Sequence, residues 1–446
     1  MNQTDTIAAI ATAPGRGAIG IIRLSGPQSL EIATALGART LESHRARVCR
    51  LTWQGDVLDE ALVLPFLGPG TFTGEHCLEL HCHGGPVTLR RVLDAVQQAG
   101  ARIAEPGEFA RRAMLNGKLD LVQVEAIADI IEAESDSAHA HAQRHLAGAL
   151  SGQVDALKER LVQLVLLVEA AIDFSLEEHV YTITPEEMEA QLGPIRDGVG
   201  TLLATYQSGR LHNDGVRVAL VGRPNAGKST LLNTLLGEDR ALVTPIAGTT
   251  RDYLEEKLTL DGVLFRLIDT AGLRETEDEV ERLGVARTRE RAAGADAVLV
   301  VADASSPEEL PSLLAELPQL PTALLWNKCD LVEGIPTVRG APGRSLAVSL
   351  SKGVGVDELP ELLLALAESA GLSRGSESVL LTRARHRDTL TEVATSLERA
   401  TEALELGHEL VALDLRIALD GLGSLTGAVT TDDLLDRIFA GFCIGK

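Results

Sequence analysis

Hydrophobic and polar residues alternate in two distinct ways along this chain, and the change between them marks candidate domains. Residues 1 to about 117 carry short apolar runs of β type, AIGIIRLSG, DEALVLPFL and HCLELHCHG, and one helical segment, VTLRRVLDAVQQAG. Short strands combined with a segment of period 3.6 predict an α+β domain. The runs EPGEF and NGK are predicted to be loops that close it.

Long helical stretches follow from Leu119 onward. VQVEAIADIIEAE and VDALKERLVQLVLLVEAAIDF repeat apolar residues at helical spacing. A further helix is predicted to begin at Thr184, because Pro185 occupies the first helical position and Glu187 completes a capping box. The most apolar stretch, Leu161–Phe174, contains three polar residues and is too short to span a bilayer. We therefore predict a buried helix and no association with a membrane.

A strand–helix alternation replaces the helical pattern after His212. VRVALVGRPNAGKSTLLNTLLG predicts a strand, a glycine-rich turn and a helix, and further strands are predicted at VLFRLIDT, ADAVLVVADA, TALLWNKCD and SLAVSL. This alternation predicts a doubly wound, mostly parallel sheet that ends near Gly371. Helical segments then return, and the last is predicted to be capped at Thr430 or Thr431.

The simplest architecture is multidomain, with an α/β domain inserted into a discontinuous all-α domain whose two halves pack together. The expected boundaries are 1–118 for the α+β domain, 119–212 and 374–446 for the two helical parts, and 213–373 for the insert.

Composition narrows the class of protein. The 446 residues have a formal net charge of -23, which argues against a basic surface along the whole chain for nucleic acid, although a local basic patch remains open. The five cysteines form no CxxC pair, so we expect free thiols in a reducing cytoplasm. The first residues lack a basic region and carry Asp5 before a short apolar stretch, so we expect no signal or transit peptide.

The segment from Gly222 to Ser229, GRPNAGKS, matches the phosphate-binding loop pattern GxxxxGK[ST] between a predicted strand and helix. Its glycines allow backbone N–H groups to face the phosphates at a helix N-terminus. Lys228 is expected at the β- and γ-phosphates, and the Ser229 hydroxyl is expected to bind Mg²⁺.

The sequence NKCD, from Asn327 to Asp330, follows a predicted buried strand. A carboxylate at Asp330 accepts hydrogen bonds from the N1–H and N2–H₂ groups of guanine, whereas adenine lacks the second donor. This motif therefore predicts GTP rather than ATP as the nucleotide. Ser349, Leu350 and Ser351 are expected to close over the base.

In the segment IDTAGLRETEDEVERLG, Asp269 is expected to hold the Mg²⁺ shell, and the Gly272 N–H is expected to sense the γ-phosphate. Thr250 in TPIAGTTRD is expected to reach Mg²⁺. Leu273 occupies the place where many small GTPases have a glutamine that orients the attacking water. Either hydrolysis is slow, or the missing group comes from elsewhere, and the acidic run after Leu273 is one candidate source.

The complete set of residues predicted to bind GTP is Asn225, Ala226, Gly227, Lys228, Ser229, Thr230, Thr244, Ile246, Ala247, Gly248, Thr249, Thr250, Asp269, Thr270, Ala271, Gly272, Asn327, Lys328, Asp330, Ser349, Leu350 and Ser351.

Several segments together resemble the MnmE (TrmE) family of tRNA modification GTPases. They are GRPNAGKST, GTTRD and the terminal FCIGK, with ATAPGRGAIGIIRLSGP, TFTGEHCLELHCHGGP and LNGKLDLVQVEAIADII in the first part of the chain. The resemblance covers the whole chain and implies an N-terminal domain that binds folate and forms a homodimer. It also implies a flavin-dependent partner, MnmG (GidA), in a hetero-oligomer that modifies C5 of the wobble uridine of certain tRNAs, adding an aminomethyl or carboxymethylaminomethyl group.

The resemblance also implies roles for individual residues. A 5-formyl- or methylene-tetrahydrofolate would be bound by Arg23, Glu79, Lys118 and Lys446. A K⁺ ion would be bound by Asn225, Thr244, Ile246 and Thr249, with Ile246 contributing its backbone carbonyl. The carboxylate of Glu281 would act on the attacking water, which is one answer to the missing glutamine.

Two other functions remain open on these residues. One is a regulatory GTP switch that binds RNA or ribosomes without modification chemistry, and the other is a folate-dependent methyltransferase with a GTPase insert. The α+β domain and the FCIGK tail favour the modification enzyme, because a pure switch has no need of a folate pocket.

Three groups of reactive side chains are expected to have structural roles. His81 and His83 share one face of a strand while Cys82 points away, which is unsuitable for a metal site. His141 and His145 are expected on a solvated helix face. For Cys443, a nucleophilic thiol and a small buried hydrophobic residue both remain open, and the second is at least equally favoured.

Overall fold

The computed structural model describes residues 5–174, 183–237, 255–269, 294–375, 379–442 and 444–445. The chain divides into two compact units. The first contains residues 1–128, 146–158 and 419–446, and the second contains residues 129–145 and 159–418. No helix of the described ranges combines the length and the apolar character needed to cross a membrane.

The first unit is built on one six-stranded sheet in the order β3-β4-β5-β2-β1-β6. Neighbouring strands are antiparallel, except that β6 is parallel to β1. The strands are β1 (Ile7–Ile10), β2 (Ile19–Ser25), β3 (Arg47–Trp53), β4 (Asp56–Phe66), β5 (Cys77–His83) and β6 (Arg102–Ile103). The first helices are α1 (Ser29–Ala35), α2 (Pro86–Gln98) and α3 (Glu108–Leu115).

One face of this sheet carries the core of the unit. Leu78, Leu80 and Cys82 of β5 are buried and alternate with more exposed residues, as expected for an antiparallel sheet with one solvated face. The helix α2 covers the buried face, where Val92 and Val96 have no exposed surface. The helix predicted at VTLRRVLDAVQQAG is thus confirmed.

The loop predicted over EPGEF is wrong at its end, because Glu108 and Phe109 already belong to α3. Gly107 precedes this helix at φ 65, a conformation that glycine adopts without steric cost. Burial of the Phe109 ring in a small cluster under β1 favours the helix.

The other helices lie farther along the chain. They are α4 (Leu121–Glu132), α5 (Asp136–Leu146), α6 (Ala149–Asp173), α7 (Pro185–Ala204), α8 (Tyr206–Asp214), α9 (Lys228–Gly237), α10 (Leu310–Ala315), α11 (Leu359–Ser369), α12 (Ala384–Glu402), α13 (His408–Thr426) and α14 (Asp432–Phe439).

The start of α7 confirms the predicted cap. Thr184 accepts from the Glu187 backbone N–H, and the Glu187 carboxylate accepts from the Thr184 backbone N–H. The final helix α14 is capped by Thr431, one of the two predicted alternatives.

The prediction of a buried helix at the apolar stretch of α6 is correct for one face of the helix only. Leu161, Leu164 and Val168 are buried, but Leu166 and Leu167 are 61% and 41% exposed. The helix therefore has one apolar face in the core and a second that is open in this single chain. The two helical parts do pack together as expected, since α7 contacts α12 and Arg196 donates to the Thr401 hydroxyl.

The second unit contains a six-stranded sheet in the order β12-β11-β10-β7-β9-β8. Its strands are β7 (Val216–Val221), β8 (Glu255–Leu260), β9 (Val263–Asp269), β10 (Ala297–Asp303), β11 (Thr322–Asn327) and β12 (Ser345–Ala347). All neighbours are parallel except β8 and β9, which confirms the predicted doubly wound sheet. The carboxyl ends of its parallel strands lie at one edge, where such folds bind ligands.

The two ends of this inserted domain lie together. The hydroxyls of Ser208, before β7, and Ser373, after α11, are 2.7 Å apart. His212 Nε2 donates to the Ser373 carbonyl oxygen at 3.0 Å. The chain therefore leaves and rejoins the helical part at one place.

The expectation of a solvated face for His141 and His145 is wrong, because both are buried. The ring of His141 packs against that of His212, with centroids 4.9 Å apart, and His145 Nε2 donates to the Leu380 carbonyl oxygen at 2.8 Å. Burial, followed by the charges of His212, Arg144 and His145, lowers the pKa of His141 to about 4.

This burial predicts a loss of stability in acid. Below pH 6.5 the unfolded chain binds a proton at His141 that the folded chain does not, so the free energy of unfolding falls between pH 6.5 and about 4. The loss should total about 3 kcal/mol and be absent above pH 7. Thermal melting at pH 7.5, 6 and 5 measures it.

The variant His141→Phe keeps an aromatic ring that cannot be protonated and should show a flatter dependence on pH. The exposed neighbour His139 provides the control His139→Phe, which should behave as the wild type. Parallel losses in the wild type and His141→Phe would contradict the assignment.

Candidate nucleotide site

The loop between β7 and α9 has the backbone of a phosphate-binding loop. Gly222 lies against the Val301 carbonyl oxygen, and a Cβ at this position would overlap it. Asn225 and Gly227 have φ values of 63 and 106, in the left-handed region that asparagine tolerates and glycine favours. The backbone geometry of the loop therefore favours the residue types at Gly222, Asn225 and Gly227, in addition to their expected contacts with phosphate.

Lys228 is buried inside this loop at the start of α9. Its Nζ donates to the carbonyl oxygens of Gly222 at 2.7 Å and Arg223 at 3.0 Å. Burial lowers the pKa of Lys228, while the nearby Asp269 carboxylate opposes that effect. Ser229 and Thr230 follow on the exposed side of the helix start, so the Ser229 hydroxyl is accessible to a hydrated cation.

Asn327, at the end of β11, connects the phosphate side of the site to the base side. Its Nδ2 donates to the Ala226 carbonyl oxygen at 2.8 Å, and its Oδ1 accepts from the Leu350 N–H at 3.2 Å. A Cβ on Gly227 would overlap this amide nitrogen. The buried Asn327 side chain thus fixes two loops that are distant in sequence.

Asp330, the residue expected to contact the base, is held by neighbouring side chains. Lys352 Nζ lies 2.9 Å from its Oδ2. Hydrogen bonds from Ser349, and then from Lys352, lower the pKa of Asp330, so the carboxylate is ionised at neutral pH. Ser349 is fully buried, and the adjacent Ser351 is exposed.

Lys328 has a left-handed backbone, with φ 61, and its Nζ lies 2.5 Å from Asp303 Oδ2 at the end of β10. Burial alone would raise the pKa of Asp303, but hydrogen bonds from Lys328 and Ser305 together lower it. This contact fixes the aliphatic part of the Lys328 side chain beside the position expected for the base. The sequence motifs did not reveal Asp303 or Lys352, because both act through residues distant in the chain.

Asp269 ends β9, directly beside Leu220 of β7, which places its carboxylate at the same edge as Lys228. Its carboxylate and the Ser229 hydroxyl are oxygen donors of the kind that Mg²⁺ prefers. The other predicted switch residues lie outside the described ranges; they are Thr244, Ile246, Ala247, Gly248, Thr249, Thr250, Thr270, Ala271, Gly272 and Glu281.

In the first unit, two of the residues implied for folate are in contact. Glu79 Oε1 accepts from Arg23 Nε at 3.1 Å and from Nη2 at 2.9 Å. Arg23 Nη1 also donates to the Gly445 carbonyl oxygen at 3.3 Å, which brings the end of the chain to this site. Lys118 is exposed, with its side chain against Gly74. Lys446 and Cys443 lie outside the described residues.

His81 also contacts the Arg23–Glu79 pair, although the sequence motifs did not indicate it as a contact of the folate. Its Nε2 lies 3.0 Å from Glu79 Oε2, so Glu79 has a partner on each oxygen. His83 lies 2.7 Å from Asp59, and burial raises the pKa of the Cys82 thiol to about 12. The predicted alternation of these three residues is confirmed.

Two family models match this chain. The model described as the GTP-binding protein TrmE N-terminus matches residues 6–118, and the MnmE helical domain model matches residues 121–443. The tRNA modification GTPase MnmE of Bordetella petrii is 45% identical over 99% of this chain and 98% of its own length. The protein of the same name from Moorella thermoacetica is 44% identical over 99% of both chains.

Solved structures similar to part of the chain include the G domain of the FeoB iron transporter of T. maritima. It is 28% identical, with a TM-score of 0.25, and the match covers 34% of this chain and 98% of that one.

Proposed function

We propose a detailed function for this chain from one premise, which is that it belongs to the MnmE family of tRNA modification GTPases. In this proposal its GTP hydrolysis accompanies modification of C5 of the wobble uridine of certain tRNAs. The product carries an aminomethyl or carboxymethylaminomethyl group, and a tetrahydrofolate derivative supplies the one-carbon unit. The protein acts as a homodimer together with a flavin-dependent partner of the MnmG (GidA) type. We place the reaction in the cytoplasm, where free thiols such as Cys77 and Cys82 persist.

The contact between Arg23, Glu79 and the Gly445 carbonyl is the observation that supports folate binding. A guanidinium is suited to the carboxylates of a glutamate tail, and a carboxylate is suited to the N–H donors of a pterin edge. Both groups are present in one place, partly exposed, and the terminal segment joins them. In the proposal, Lys118 and Lys446 add positive charge, and a bound folate replaces part of the Arg23–Glu79 pairing.

The hydrolytic step in this proposal uses two cations and one carboxylate. Ser229 and Thr250 hold Mg²⁺, and Asn225, Thr244, Ile246 and Thr249 hold K⁺. The exposed position and left-handed backbone of Asn225 support the K⁺ assignment, because its amide is free to face a cation near the phosphates. A cation there would neutralise charge that develops in the transition state. Glu281 orients the water.

Hydrolysis should therefore depend on the identity of the monovalent cation. We expect the rate of GTP hydrolysis to be at least about tenfold higher in K⁺ than in Na⁺ at equal ionic strength, since charge neutralisation at the transition state has effects of this size. Asn225→Ala should remove the K⁺ stimulation. Asn233→Ala, an exposed asparagine on α9, should retain it. Equal rates in Na⁺ and K⁺ would refute the assignment.

Nucleoside analysis of tRNA tests the modification itself. A strain that lacks the gene should accumulate unmodified wobble uridine, and the wild-type gene should restore the modification. The Arg23→Ala variant should fail to restore it while the purified protein still hydrolyses GTP. Unchanged wobble uridines in the deletion strain would instead favour a regulatory GTP switch.

A further inference from the structure

Two positively charged side chains lie directly opposite each other on the hairpin formed by β8 and β9. Lys257 of β8 and Arg266 of β9 are direct partners in the antiparallel register. Like charges placed directly opposite each other destabilise a strand pair. A negative charge nearby would offset this repulsion between the two strands.

Glu134, in the connection between α4 and α5, supplies that charge. Its Oε1 lies 2.6 Å from Lys257 Nζ, and its Oε2 lies 3.3 Å from Arg266 Nη2. The side chain of Glu134 is only 28% exposed. A second carboxylate, Glu255, is farther from Arg266, at 3.8 Å. Glu134 is the carboxylate that bridges both strands.

The turn of the hairpin is held by the same connection. The Ser137 backbone N–H donates to the Gly262 carbonyl oxygen at 3.1 Å. Gly262 has φ 76, and the position that a Cβ would occupy on Gly262 faces the Asp136 Cβ. We refer to the contacts of Glu134 and Ser137 with Lys257, Gly262 and Arg266 as the hairpin clamp.

The position of this hairpin in the chain gives the clamp its functional interest. The strand β8 begins at Glu255, shortly after Thr250, which is expected to reach Mg²⁺. The strand β9 ends at Asp269, whose charge acts on Lys228. The hairpin thus connects the two segments of the nucleotide site that are expected to respond to the γ-phosphate, and a shift in its register would move Asp269.

We propose that the hairpin clamp couples the nucleotide state of the inserted domain to the connection between α4 and α5. Glu134 is then a positioning residue for GTP hydrolysis, which acts through the hairpin on Asp269. In this proposal, binding of GTP stabilises the hairpin together with its contact with Ser137. By thermodynamic linkage, a more stable contact at Ser137 also strengthens the binding of GTP. The proposal concerns hydrolysis itself and is independent of the folate and tRNA steps.

Hydrolysis by charge variants tests the clamp. Glu134→Gln should lower kcat about two- to fivefold and leave KM within about twofold, because partly exposed ion pairs have effects of this size. Glu132→Gln, an exposed carboxylate at the end of α4, should have no effect. Glu134→Lys should be worse than Glu134→Gln, and Glu134→Lys combined with Lys257→Glu should recover the rate. Failure of the exchanged pair to recover would contradict the electrostatic role.

Hydrogen exchange of the Ser137 amide distinguishes coupling from simple stabilisation. In the wild type this amide should exchange more slowly with a non-hydrolysable GTP analogue than with GDP. In Glu134→Gln the difference between the two nucleotides should shrink, even if the variant is equally folded. Identical exchange in the two nucleotide states of the wild type would overturn the proposal.

Discussion

Replacing Asp330 by Asn should weaken GTP binding by about a hundred- to ten-thousandfold. In the proposed site the carboxylate would accept from two guanine donors, and each hydrogen bond to a charged group contributes about 1.5–3 kcal/mol, which corresponds to this range of affinity. An asparagine amide would offer only one acceptor and would place its own donors against N–H groups. Titration with a fluorescent GTP analogue measures the change.

The same variant should gain affinity for xanthosine triphosphate, whose 2-oxo group accepts from the new amide. Asp357→Asn, an exposed carboxylate in the segment before α11, should bind GTP as the wild type does. Because Ser349 and Lys352 lower the pKa of Asp330, the affinity of the wild type for GTP should not fall through this group between pH 8 and 5. An Asp330→Asn variant that binds GTP normally would show that the base lies elsewhere.

Replacing Glu281 by Ala should lower the turnover of GTP about a hundred- to a thousandfold, as loss of a positioned general base does. The affinity for GTP should remain within about threefold, because in the proposal the carboxylate acts on water and not on the nucleotide. Leu273 has no side-chain hydrogen-bonding group, so it cannot take over this role. Single-turnover hydrolysis with prebound GTP separates the two effects.

A matched control comes from the same acidic run. Glu279→Ala removes an equal charge two residues earlier and should hydrolyse GTP within about twofold of the wild type, because the proposal gives that carboxylate no role in hydrolysis. A large loss of GTP affinity in Glu281→Ala would contradict its assignment to the water.

The sheet and the phosphate loop could be predicted from the sequence because their signals are local. A strand, a glycine-rich turn and a helix occupy consecutive residues, and the φ values at Asn225 and Gly227 follow from the backbone of that turn. The capping box at Thr184 is likewise contained in four residues. Such elements depend little on the remainder of the chain.

The supporting contacts of the site could not be predicted, since they join distant parts of the chain. Lys328 pairs with Asp303, which lies on a neighbouring strand. His141 is buried by His212, 71 residues later, although its own helix suggested an exposed face. In each case the environment of the side chain is set by tertiary packing, which local periodicity does not encode.

The hydrogen bond between Ser208 and Ser373 has a consequence for removal or exchange of the inserted domain. Since the two ends of the inserted domain lie one hydrogen bond apart, a short turn between them would close the helical part without the insert. The host helices on either side could keep their packing, as α7 and α12 still do. Deletion of the inserted domain, or its exchange for another domain whose ends are adjacent, would leave the architecture of the helical part in place.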